Sequence, residues 1–73
     1  MDRAAIERCQ NEYPRGTRIE LVEMDDPGAP LKGTKGTVLG VDGIGNLLVN
    51  WDNGSSLNLI LGVDSCRKLD NEP

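Results

Sequence analysis

From residue 14 onward a glycine or proline interrupts the chain every few residues: Pro14, Gly16, Pro27, Gly28, Pro30, Gly33, Gly36, Gly40, Gly43, Gly45, Gly54 and Gly62. Such residues end helices and set turns, so the stretches between them are expected to be short and extended. The apolar pattern agrees. Ile19 and Leu21 alternate with Arg18 and Glu20 in a half-buried strand over residues 17–23. Residues 33–42 read as a turn feeding a strand rich in Val and Thr, in which Gly40 suits a bulge or sharp bend.

Leu47, Val49 and Trp51 alternate with Leu48, Asn50 and Asp52, and Leu57 and Leu59 with Ser56, Asn58 and Ile60. Residues 65–69 supply a last short strand. Residues 24–32 hold Asp25, Asp26, Pro27, Gly28, Ala29 and Pro30 and form a loop, while 43–46 make a tight connection. Asp52-Asn53-Gly54 is the strongest hairpin signal, predicting a type I′ turn with two positive φ angles.

Before these breaks the chain behaves differently. Asp2 is a suitable N-cap, and residues 3–12 contain no Gly or Pro. Ala5, Ile6, Cys9 and Tyr13 recur at spacings of three and four, an apolar stripe for a helix docked on the strands. Pro14 ends it. The predicted fold is mainly β: a small five-stranded SH3-like barrel, closed or partly open, with one N-terminal α-helix. The helix takes residues 1–13, the barrel 14–70 and a polar tail 71–73.

At 73 residues the chain holds one core. A domain of that size buries only about 60% of the surface its unfolded chain exposes, which leaves little stability for a strained catalytic pocket. No histidine is present, which removes the usual general base and the commonest metal ligand. Cys9 and Cys66 are too few for a thiolate metal site and lack an activating neighbour. Asp42, Asp52 and Asp64 each sit at a turn, where Asp bonds local backbone. These features point away from an enzyme, and no cofactor or metal is implied.

The net charge of −4 is opposite in sign to the footprint of a phosphate-neutralising protein. No apolar run is long enough to cross a bilayer and no leader is evident, so the expected location is the cytoplasm, with the two cysteines as reduced, buried thiols. The expected function is a non-catalytic interaction module binding a protein or peptide partner, acting as a monomer or weak homodimer. Its candidate face is the loop of Met24, Asp25, Asp26 and Pro27 beside Trp51 and Asn53. The alternative is a KOW-like nucleic-acid contact through Arg18, Lys32, Lys35, Arg67 and Lys68.

Several motifs occur together: Y-P-x-G-T-R at Tyr13 to Arg18, M-x-D-P at Met24 to Pro27, G-T-x-G-T-V at Gly33 to Val38, W-D-N-G-S-S at Trp51 to Ser56, and L-G-V-D at Leu61 to Asp64. In combination they resemble a family of short proteins, of unknown function, from bacteria and their phages or mobile elements. Leu31 and Leu61 stand where that family is expected to carry proline. The resemblance covers nearly the whole chain and implies fold and origin, but no site residues. The W-D-N-G-S turn is also similar to that of the protein-binding Mib/Herc2 domains, and the G-T-x-G-T-V strand to the start of KOW motifs. Both are parallels of fold, from which function does not follow.

Overall fold

The computed structural model describes residues 3–69. Helix α1 spans Arg3–Glu12, and five strands follow: β1 Arg18–Glu23, β2 Lys35–Val41, β3 Asn46–Trp51, β4 Leu59–Ile60 and β5 Ser65–Lys68. The expected N-cap Asp2 and the tail 71–73 lie outside the described residues. Helix α1 stops just before Pro14, whose carbonyl then accepts the Thr17 amide and hydroxyl at 3.0 and 2.6 Å as the chain turns into β1.

All strand pairs are antiparallel, in the order β4-β3-β2-β1-β5. The register places Ile19 opposite Gly36, Val38 opposite Val49, Gly36 opposite Trp51 and Leu47 opposite Leu59. Cross-strand partners share a face, so these residues line one side of the sheet. Ile19, Leu21, Val38, Leu47, Val49, Trp51 and Leu59 form a single buried cluster, with Tyr13, Met24, Val41, Leu61 and Cys66 packed around it. The register of β2 on β3 slips between Val38 and Gly40, which is the bulge that Gly40 suggests.

The expected SH3-like barrel is corrected by the topology. β4 and β5 are the two edges of the sheet, and no ladder joins them among the described residues. Four intervals of about 4.8 Å would set these edges about 19 Å apart in a flat sheet. The chain passes from Ile60 to Ser65, a reach of at most about 17 Å when extended. It is not extended: the Val63 and Asp64 amides both donate to the Ile60 carbonyl, and Gly62 takes φ 90°. The sheet therefore curls its edges toward each other without joining them. A two-residue β4 offers too few backbone groups to seal the gap. The likenesses to Mib/Herc2 and KOW domains rest on the short W-D-N-G-S and G-T-x-G-T-V fragments, and the barrel they imply is not closed here.

A second correction concerns the Asn53 turn. Among the described residues no amino acid other than glycine has positive φ, so the predicted type I′ turn is absent. The Gly54 amide instead donates to the Trp51 carbonyl at 3.0 Å, the Trp51 amide donates to the Ser55 carbonyl at 3.1 Å, and Gly54 alone takes φ 92°. This is a three-residue hairpin loop in which one glycine supplies the left-handed turn. Asp42 to Asn46 repeats the pattern, with Gly45 at φ 85°.

Candidate partner-binding surface

Turn aspartates behave largely as expected. Asp42 Oδ1 accepts the Ile44 and Asn46 amides, Asp64 Oδ2 accepts the Ile60 amide, and Asp26 Oδ1 accepts the Gly28 amide. Asp52 is different. Its carboxylate takes a forked pair of bonds from Arg18, at 2.8 and 2.6 Å, and Arg18 also donates to Thr37 Oγ1 at 3.0 Å. The Arg18 hydrogen bond, with the charges of Arg18 and Lys35, holds the Asp52 carboxyl below its ordinary value.

Of the loop residues singled out in the sequence, Asp25, Asp26, Pro27 and Asn53 are exposed and Met24 is half-buried against the core. The loop does come beside the Trp51 region, since a Cβ on Gly28 would lie 3.7 Å from Leu57 Cδ1 and the Trp51 indole donates to the Leu57 carbonyl at 3.0 Å. Trp51 itself is only 1% exposed. It belongs to the core and offers a partner no surface.

The basic residues separate. Glu20 stands opposite both Lys35 and Arg67, and Arg18 opposite Thr37, so Arg18, Lys35 and Arg67 share the outer face of the sheet. They alternate there with acids: Arg67 bonds Glu20 at 2.7 Å and Arg18 bonds Asp52. Lys68 lies on the other side, opposite Ile19, 5.2 Å from the centre of the Tyr13 ring and 3.9 Å from Glu12. Lys32 is exposed in the turn before β2.

An apolar corner on the outer face went unrecognised in the sequence. Leu47 and Leu59 pair and are both fully buried, so their neighbours Leu48 and Ile60 face outward. Leu48, half-buried, stands opposite Gly40, which has no side chain to lay over it, and Leu39 emerges from the adjoining bulge. Leu39 is 46%, Ile60 44% and Ile44, at the tip of the β2–β3 turn, 70% exposed. The signal was present as unbroken apolar pairs, Val38-Leu39, Leu47-Leu48 and Leu59-Ile60, where a one-sided strand should alternate.

Behind the sheet, α1 leaves a groove of about 400 Å³ lined by Ala5, Arg8, Cys9, Glu12, Tyr13 and Leu61. No residue of α1 is fully buried. Burial first, then the neighbouring Cys66, pushes the Tyr13 phenol up to about 12. The Cys66 thiol lies 3.9 Å from the Tyr13 hydroxyl, and burial raises it also, against the opposing effects of Tyr13 and Lys68. Both cysteines are free thiols.

Among the described residues no helix is long and apolar enough to cross a membrane. Neither a curated protein nor a solved structure matched the chain. A family model did, over residues 2–69, and its description is domain of unknown function (DUF4314). With that match spanning nearly all of its length, the chain belongs to the DUF4314 family.

Proposed function

We propose that this domain is a non-catalytic interaction module that binds a protein partner through the apolar corner of Leu39, Ile44, Leu48 and Ile60. The observation that carries the reading is the outward-facing aliphatic side chains on adjacent strands β2, β3 and β4. Contiguous apolar surface on a small domain marks a place where another molecule excludes water. Exposed Leu and Ile at the end of a curled sheet suit an apolar segment of a protein. The flanking Asn46 and Asn50 supply a polar rim.

The charge pattern favours protein over nucleic acid. Arg18 and Arg67 already hold carboxylates, and releasing them to meet phosphates would strand Asp52 and Glu20.

The test is a paired capture from host lysate with wild type and the Leu39→Ser/Ile60→Ser variant, after nuclease treatment and at two salt concentrations. Proteins retained by wild type and lost with the variant support the apolar corner. Identical lists, or recovery that vanishes with nuclease and salt, sink it.

A further inference from the structure

Helix α1 carries its charges against its own dipole. Arg3 lies in the first turn and Glu12 in the last, with no acid in the first turn and no base in the last. A helix C-terminus favours positive charge, so Glu12 with no base in the last turn is unfavourable for the helix alone. An antiparallel helix that overlaps the C-terminal half of α1 would bring a base to that last turn.

The groove beside α1 has the shape and chemistry for such a neighbour. Cys9 is small and half-buried, which permits close backbone approach, and Ala5 and Leu61 supply an apolar wall. Arg8 and Glu12, one turn apart on the same flank, form the rim. Arg8 has no ion-pair partner among the described residues, and Glu12 reaches only Lys68, at 3.9 Å. When two copies of α1 pack antiparallel, like flanks face each other and Arg8 of one copy falls beside Glu12 of the other. The two-fold axis repeats the contact, so a single surface satisfies both copies.

We infer that the groove between α1 and Leu61 is a self-association surface that receives α1 of a second copy of this chain in an antiparallel, two-fold-symmetric pair. The interface is small and polar-rimmed, so the dimer is weak and concentration-dependent. It uses the opposite side of the molecule from the outer apolar corner and stands or falls independently of it.

The experiment is sedimentation equilibrium of the full chain from about 10 μM to about 1 mM, the range expected of a modest interface. Wild type passes from monomer to dimer across it. Arg8→Glu sets like charges across the axis and weakens dimerisation by about tenfold, as does Glu12→Arg. The double swap, Arg8→Glu with Glu12→Arg, rebuilds the pairs with opposite polarity and returns the constant to within about threefold of wild type. Far-ultraviolet circular dichroism checks that each variant is folded, as expected for substitutions at exposed positions. A monomer at every concentration overturns the proposal. So does a dimer that ignores both single reversals, or one that the double swap fails to restore.

Discussion

Gly36 stands directly opposite Trp51 across β2 and β3, and a Cβ built on it would lie 2.8 Å from the indole Cε3 and 2.8 Å from Val49 Cγ1. The missing side chain is the space that the indole fills. Real Cβ atoms do not approach other atoms so closely, so the tryptophan, the valine or the strand must shift to admit a methyl group. Gly36→Ala is expected to lower unfolding stability by about 1–3 kcal/mol through overpacking, measured by urea denaturation. An unchanged midpoint would show that the β2–β3 pair yields freely at this point.

Trp51 also contributes a polar contact. Its Nε1 donates to the Leu57 carbonyl at 3.0 Å, which anchors the segment between the hairpin turn and β4. Trp51→Phe keeps a smaller aromatic ring in the core but leaves that carbonyl without its donor, a loss of about 1–2 kcal/mol for the bond alone. Trp51→Ala empties the centre of the core at about 3–5 kcal/mol, comparable with the whole stability of about 5 kcal/mol at the low end for small domains. The expected outcomes are a folded but weakened Phe variant and an unfolded Ala variant, read by circular dichroism. A well-folded Ala variant would contradict a core role.

These two residues show how unevenly the fold could be read. The bounds of α1 and the positions of the five strands followed from Pro14, the spaced glycines and the alternation of Ile19, Leu21, Leu47, Val49 and Trp51, because those signals are local. The turn at Asn53 was legible as a hairpin and not as a type. Asn-Gly permits two positive φ angles, but the bond from the Trp51 amide to the Ser55 carbonyl selects the three-residue loop. Closure was illegible, since it depends on how many ladder bonds β4 makes, and the apolar spacing is the same for an open or closed sheet. In the candidate site, the alternation of Trp51 with Leu47 and Val49 favours a core position, while a half-exposed Trp51 on the binding face is the sharper alternative, which its burial rules out. The outer corner is hidden in the alternation itself, because Leu48 and Ile60 occupy the outward positions that polar residues normally fill beside Leu47 and Leu59.

The Arg18–Asp52 fork sets a pH dependence whose sign can be worked out. Asp52 has a folded pKa below its ordinary value of 3.8, so its contribution to stability is full above that value. The contribution is lost as pH falls through the lower, folded value. Asp52→Asn removes it throughout. The melting temperatures of wild type and Asp52→Asn should therefore differ at neutral pH and converge in strong acid, and added salt should narrow the gap because the pair is half exposed. A gap that stays constant down to the most acidic pH would show that the charge of Asp52 is immaterial.

Tyr13 allows a direct check of how α1 sits on the sheet, because it is the only tyrosine in the chain. Burial against the core, then the neighbouring Cys66, raises its phenol from 10.0 to about 12. Unfolding returns the phenol to water and to its ordinary value. The native interactions are thus fully available below pH 10 and are progressively lost as pH rises through about 12, because the unfolded state ionises first. Absorbance of the phenolate near 295 nm, a wavelength set by the phenolate chromophore, should titrate well above pH 10 while the protein stays folded. Tyr13→Phe should flatten the alkaline fall in stability while also losing the contact to Cys66. An ordinary titration midpoint in the folded protein would mean that Tyr13 is solvated and that α1 does not hold the position described, since Tyr13 directly follows α1 and cannot lie against Cys66 and Lys68 without its phenol being covered.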